Sequence, residues 1–492
     1  MSVHPKEPIA IVGMACLFPK SPDLATYWKN ILAARDCTDE VPPDHSWRPD
    51  EHYAPDPGAR DKTYGRRGGF LDKVPFDPMV FGITPNALDA IDTSQLLSLI
   101  LARECLKDAG IDPDSGDWDR DRVGVVLGVT GTQELTITLG SRLHGPTWKK
   151  AMLRCGIDDA LADVVVDDIS NHFPEWQEQS FPGLLGNVVA GRIANRLDLG
   201  GTNCVVDAAC ASSLAALQLA TADLQAGRAD LVLSGGVDTL NDIFMYMCFS
   251  KTPALSPTGE ARPFDADADG TLISEGLGVL ALKRLSDAER DGDRVYAVIK
   301  GIGASSDGRG KSIYAPAPRG QVKAIERAYE AAGVPLETVE LIEAHGTGTR
   351  AGDVAEIAGL KEVFSKSDRK GRWVALGSVK SQIGHSKSAA GVAGLVKAAM
   401  ALHQRALPPT ARVTTPNPKM DLERSPLYLN PVARPWIRAK DHPRRAGVSS
   451  FGFGGSNFHC VLEEHGDPDA APPLHAAEAE LVLIGAPDAA TL

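Results

Sequence analysis

Short apolar runs of strand length recur along the chain, separated by longer stretches with helical spacing. In the first half such runs occupy residues 9–13, 123–128, 205–207 and 231–234. A second series follows at 295–300, 340–343 and 374–378, with helices expected over 321–332 and 389–404. Apolar runs this short and continuous fit strands buried on both faces, so the pattern predicts an α/β layer structure. The two series look alike. The strand, turn and small-residue helix of CVVDAACASSLAALQLATADL has a counterpart in VALGSVKSQIGHSKSAAGVAGLVKAAMAL, which suggests an internal duplication. Residues 130–180 have poor periodicity and are expected to form an insertion over the core. RRAGVSSFGFGGSNFHCVLEE reads as two strands joined by a glycine-rich turn, an antiparallel pair expected at a sheet edge. After Glu464 the chain turns to GDPDAAPPLHAAEAE, which is linker chemistry, and LVLIGAPDAATL then begins a new strand. The expectation is a fragment of a longer polypeptide.

Composition narrows the class. With 43% hydrophobic and 23% charged residues in 492, the chain has the make-up of an ordered globular protein of one large unit. A net charge of -13 argues against a nucleic-acid partner. No apolar run is long enough to cross a bilayer, and the first residues lack the design of a secretory signal, so no membrane association and a cytoplasmic location are expected. Eight scattered cysteines without CxxC pairs fit reduced thiols, and no metal site is expected.

Three segments carry candidate chemistry. Cys210 lies where a small-residue turn meets a helix, and a helix N-terminus favours thiolate and predicts a lowered pKa. Taken alone, the segment fits a packed structural cysteine as well as a nucleophile. His345, in LIEAHGTGTRAGD, follows an apolar strand in a loop whose glycines allow close backbone approach and whose Thr347 and Thr349 offer hydroxyls. His385, in SVKSQIGHSKSAAG, also sits between a strand and a small-residue helix, five positions after Lys380. One thiol and two imidazoles at strand ends can converge on one pocket. A cysteine there would hold an acyl group covalently, and two neutral imidazoles would donate to a thioester carbonyl as enolate charge develops. The SFGFGGSN turn would offer backbone N–H groups to an oxyanion, or serve as a plain hairpin turn.

DAACASSL, EAHGTGTRAGD, SVKSQIGHSKSAAG and SSFGFGGSNFH, in this order, resemble the signature segments of the ketosynthase (β-ketoacyl synthase) domain of iterative type I polyketide and fatty-acid synthases. The likeness runs from PIAIVGMACLFP through CVLEE. It implies a thiolase fold, two βαβαβ-type halves in alternating layers of helices and mixed sheets, usually as a homodimer. The implied reaction is decarboxylative Claisen condensation of a Cys-bound acyl group with malonyl-acyl carrier protein. Cys210 would be the nucleophile and, with Phe453, part of the oxyanion hole. His345 and His385 would promote decarboxylation, and Lys380 would organise the site. Thr347 and Thr349 would bind the pantetheine arm, and Asp353 and Glu356 would support from behind. No cofactor is implied in this domain; substrates ride on the phosphopantetheine of an acyl carrier protein, whose usual acidity calls for a local basic patch.

The resemblance sets a ketosynthase domain over 1–464, with approximate halves 1–255 and 256–464. Residues 465–492 are then the linker and truncated start of the region leading to an acyltransferase domain. SSDGRGKSIYAP and GHSKSAAG look like the branch of polyunsaturated fatty-acid and enediyne polyketide synthases. Modular synthases more often read GHTEAAAG, so Ser386 and Lys387 depart from that pattern; they flank a histidine without an expected part in the chemistry. A thiolase-type enzyme would need a second catalytic cysteine, which Cys204, Cys248 and Cys460 do not supply in context. A non-elongating partner (chain-length factor) would replace the nucleophile, and a papain-like hydrolase would not need the second histidine.

Overall fold

A computed structural model of the chain describes residues 7–131, 133–309 and 315–466. The expected linker and terminal strand after Gly466, and part of SSDGRGKSIYAP, lie outside the described residues.

Eleven strands form one connected sheet. In chain order they are β1 (Ile9–Leu17), β2 (Val123–Gly128), β3 (Asn203–Val206), β4 (Leu231–Asp238), β5 (Gly276–Arg284) and β6 (Ala297–Ser306). Then come β7 (Leu341–Glu343), β8 (Val374–Gly377), β9 (Leu427–Leu429), β10 (Arg445–Gly452) and β11 (Ser456–Glu463). Their order across the sheet is β9-β8-β7-β10-β11-β6-β1-β5-β4-β2-β3. Numbered within each series, β1 to β5 run third-second-fourth-fifth-first, and so do β6, β7, β8, β10 and β11. Orientation repeats too. In both series the first three strands in space are parallel and the remaining contacts antiparallel. A register shift interrupts the first-to-fifth pairing in each series, near Ile11/Gly13 and near Val461/Leu462. The series meet where Ile9–Ile11 pair antiparallel with Ala297–Ile299. The sheet is therefore a duplicated unit, and in strand order the first unit runs through Arg284.

Helices fill the layers between and outside. The six that matter here are α1 (Thr93–Asp108), α2 (Val188–Leu197), α3 (Ser212–Gln225), α4 (Pro318–Ala332), α5 (Arg350–Phe364) and α6 (Ala390–His403). α6, AGVAGLVKAAMALH, is apolar all round, which demands burial on every side; only its last residue escapes burial. It shares a core with α3 and the inner faces of both units. Helices α1 and α2 cover the outer face of the first unit, and α4 and α5 that of the second. The result is the alternating α-β-α-β-α layering of a thiolase fold.

One sequence expectation changes. The glycine-turned hairpin, β10 and β11, is antiparallel but interior, held between β7 and β6. Both its strands are almost wholly buried, which an edge does not provide. Residues 130–180 hold three consecutive helices, Glu134–Arg142, Gly145–Arg154 and Asp159–Ser170, which leave Leu143, Leu161 and Val164 more than half exposed.

Candidate active site

Cys210 lies in the turn between β3 and α3. Ala209 adopts φ +51°, a left-handed conformation costly for a residue with a Cβ. The turn closes through N–H donation from Ala211 to the Ala208 carbonyl (3.1 Å) and from Ser212 to that of Ala209 (3.0 Å). Neighbours hold this conformation. The Ser450 hydroxyl donates to the Cys210 carbonyl at 2.6 Å. Gly452 lies so close that a Cβ would stand 2.1 Å from the Ala208 oxygen.

The thiol contradicts the lowered pKa expected at a helix start. Burial pushes Cys210 up to about 11, against the pull of Lys380, the Phe453 backbone N–H and Lys387. Enclosure in low dielectric outweighs the N–H groups and cations nearby.

His345 and His385 face Cys210 across a cavity of about 380 Å³ that all three line together with Thr347, Thr349 and Phe453. The two imidazoles meet edge to face with centroids 5.4 Å apart. Burial, then the charge of Lys380, holds both well below the ordinary imidazole range, so both are neutral. His385 Nδ1 accepts the Lys387 backbone N–H at 3.1 Å. The proton of this neutral ring therefore sits on Nε2, the one donor it can offer. His345 Nδ1 is buried without a hydrogen-bond partner.

The loop carrying His345 is held by carboxylates. Glu356 accepts the backbone N–H groups of His345 (2.7 Å) and Gly346 (2.8 Å), one on each oxygen. Asp353 accepts those of Gly348 (3.1 Å) and Phe264 (2.8 Å). Gly346 and Gly348 take φ +41° and +78°, which lets consecutive N–H groups turn toward these acceptors. Burial lifts both carboxyls to about 7. Lys380 is 3% exposed, its pKa lowered by burial and supported by Glu343, Glu356, Cys210 and Asp353. The Thr347 and Thr349 hydroxyls hydrogen-bond each other at 2.9 Å at the cavity wall.

Every sequence-selected residue is thus at this site: Cys210, His345, His385, Thr347, Thr349, Phe453 and Glu356 on the cavity, Asp353 and Lys380 behind it. Three features escaped the sequence reading. Ser450 anchors the nucleophile turn; its trace is a Ser-Ser pair inside an otherwise apolar strand. Glu343 pairs with Lys397 of α6 at 2.6 Å, with both at most 2% exposed, and accepts the Val379 N–H at 2.6 Å, fixing the approach to Lys380. Removing one partner of such a buried pair costs about 3–5 kcal/mol. Asp238 pairs with Lys387 beside His385. Among the described residues no group of side chains is arranged to hold a metal ion, and no helix is long and apolar enough to cross a membrane.

A duplicated thiolase-type sheet with a cysteine and two neutral histidines on one cavity defines an acyl-transferring condensing enzyme. The chain matches the models for the β-ketoacyl synthase N-terminal domain over residues 6–288, its C-terminal domain over 296–414, and the ketoacyl-synthetase C-terminal extension over 416–492. It belongs to the β-ketoacyl synthase family and is a ketosynthase domain of the type found in polyketide and polyunsaturated fatty acid synthases. It is 43% identical over 476 residues to a polyunsaturated fatty acid synthase polypeptide of Thraustochytrium sp., covering 95% of this chain and 16% of that protein. It is 35% identical over 503 residues to polyketide synthase PksN of Bacillus subtilis, covering 99% of this chain and 8% of that one. Among solved structures, the oxazolomycin ketosynthase domain OzmH KS7 of Streptomyces albus superposes with a TM-score of 0.81 at 34% identity, over 98% of this chain and 78% of that one. The ketosynthase from module 6 of the bacillaene synthase of Bacillus subtilis gives 0.78 at 32%, over 94% and 72%.

Proposed function

We propose that this chain is the condensing unit of a larger synthase, joining an acyl group held on Cys210 to a malonyl unit carried by an acyl carrier protein. The observation that supports this reading is the convergence of Cys210, His345 and a His385 restricted to its Nε2–H tautomer on one cavity. Cys210 sulfur attacks the incoming acyl thioester; the carrier thiol departs with the proton, and the acyl enzyme remains. The Cys210 and Phe453 N–H groups receive the oxyanion of that step. Malonyl carrier then binds with its pantetheine along Thr347 and Thr349. Its carboxylate leaves as carbon dioxide, and the bond electrons pass to an enolate whose oxygen accepts from His385 and His345. The enolate carbon attacks the acyl carbonyl, and Cys210 leaves as thiolate and is reprotonated. Lys380, Asp353 and Glu356 hold the histidine loops in place.

In this reading the substrates ride on the carrier's phosphopantetheine, and the reacting groups are side chains and backbone N–H groups of this chain. Residues 1–464 act as the ketosynthase unit, and an acyltransferase is the expected neighbour; the relatives above extend far beyond the length this chain covers. β3 is a sheet edge whose residues are at least partly exposed, and it leads straight into the nucleophile turn. This edge is the proposed dimer contact. Arg319 and Lys323, exposed on the first turns of α4 just after cavity-lining Pro316, offer positive charge to an acidic carrier. Eight unpaired cysteines fit a cytoplasmic setting.

The test is acyl transfer followed by malonyl turnover. Incubation with an acyl thioester is expected to add one acyl group by intact mass, lost in Cys210→Ala. That variant is expected to abolish condensation yet still decarboxylate malonyl thioester. His385→Ala is expected to keep acylation and lose decarboxylation at least 100-fold. Full elongation by Cys210→Ala, or unimpaired decarboxylation by His385→Ala, overturns the assignment; rapid release of free acid would identify a hydrolase.

A further inference from the structure

Beside His385 lies a buried ion pair that none of the steps above uses. Lys387 Nζ stands 3.1 Å from Asp238 Oδ1 and donates to the Ser274 carbonyl at 2.7 Å. Lys387 is 2% exposed and Asp238 6%. Asp238 is the last residue of β4, in the first unit of the duplication, whereas Lys387 follows β8 in the second. The second oxygen of Asp238 accepts the Ser388 hydroxyl (3.0 Å) and backbone N–H (3.3 Å). Ser274 closes the circuit by donating its N–H to the His385 carbonyl at 3.0 Å. Besides the bond from its own N–H to the Leu272 carbonyl (2.6 Å), the histidine is held at its carbonyl by Ser274 and at its ring Nδ1 by Lys387 itself.

The backbone of Lys387 is the informative detail. It takes φ +46°, unfavourable for any residue with a Cβ, and in that conformation its N–H reaches His385 Nδ1. Something has to hold a lysine there, and the anchored side chain does. We infer that Lys387 and Asp238 form a positioning pair that locks His385 in its Nε2–H tautomer and orientation. The inference rests on the condensing role proposed for His385. A glutamate at 387 would put like charge against Asp238.

The tautomer is read directly by long-range 1H–15N spectra of enzyme labelled at histidine. Wild type is expected to show His385 as Nε2–H, without protonation from pH 6 to 9. The double variant K387M/D238N leaves no charge unpaired in the interior, and the opposite influences of the two groups on Cys210 are removed together. It is expected to show a mixture of tautomers. Its kcat for malonyl-thioester decarboxylation is expected to fall at least tenfold with KM within twofold, while Cys210 is acylated as before; K387R is expected to recover most of the loss. A wild-type His385 found as Nδ1–H overturns the inference outright, whatever the variants do. So does a double variant that keeps both the single tautomer and the wild-type rate. A wild type with the expected tautomer but no decarboxylation refutes the proposed function and leaves the positioning pair standing.

Discussion

Two tendencies oppose each other at the sulfur of Cys210: the charges of Lys380 and Lys387 and the Phe453 N–H favour thiolate, and the cavity removes water from it. Removal of water wins, with the thiol pushed up to about 11. Near neutral pH the group is therefore protonated, and the thiolate fraction rises tenfold per pH unit until the pKa is approached. Alkylation of Cys210 by iodoacetamide, followed by peptide mass mapping from pH 7 to 9.5, is expected to give a log-rate slope of about +1 per pH unit; a plateau below pH 8 would show a stabilised thiolate instead. The sequence placed the residue correctly and its charge state wrongly. Position follows from the local turn and helix, whereas burial comes from segments distant in the chain, such as those carrying His345, His385 and Phe451, which share its cavity.

Elements show the same division. Strand and helix segments were readable because each is a local apolar pattern, and the likeness of the β3–α3 and β8–α6 segments proved to be a repeat of strand order. β5, GLGVLALKR, went unread as a strand despite being largely buried. The hairpin of β10 and β11 was read as an edge because nothing local says which strands flank a pair. Its interior place matters for chemistry, since Gly452 presses it onto the nucleophile turn. In Gly452→Ala the new Cβ has to displace the Ala208 carbonyl or the hairpin. Stability is expected to fall by about 1–3 kcal/mol, and acylation of Cys210 at least tenfold. Gly140→Ala, in the helix Glu134–Arg142 with open space around it, is the matched control; it is expected to be neutral or stabilising by up to ~1 kcal/mol. Equal effects of the two substitutions would refute the contact.

Across the whole molecule, pH couples to stability through groups buried in one protonation state. His459, on β11, hydrogen-bonds Ser449 (2.9 Å) and Tyr329 of α4 (3.2 Å), and burial holds its pKa down at about 3. The unfolded imidazole titrates near 6.5, so between these values the unfolded state binds more protons and stability rises with pH; the contribution is present above 6.5 and is lost as pH falls. In His459→Gln, the dependence of urea-unfolding free energy on pH from 4.5 to 6 is expected to be shallower than wild type by up to about 1.4 kcal/mol per pH unit. An unchanged slope would show that the ring is protonated in the fold. None of this was legible in FHCVLEE, where His459 is one polar residue in an apolar run.

The pairing of β1 between β5 and β6 also sets a timetable. Every residue of β1 is buried, and its neighbours are Gly276–Arg284 and Ala297–Ser306. On a ribosome adding roughly 5–20 residues per second, about 270 residues have to be made before the first of these partners exists, a wait on the order of 15–60 s. Throughout that interval IAIVGMACL is an exposed, uncharged, strand-forming segment, the composition that self-associates most readily. Yield in a heterologous host should therefore respond to translation speed and to chaperones that shelter nascent apolar segments.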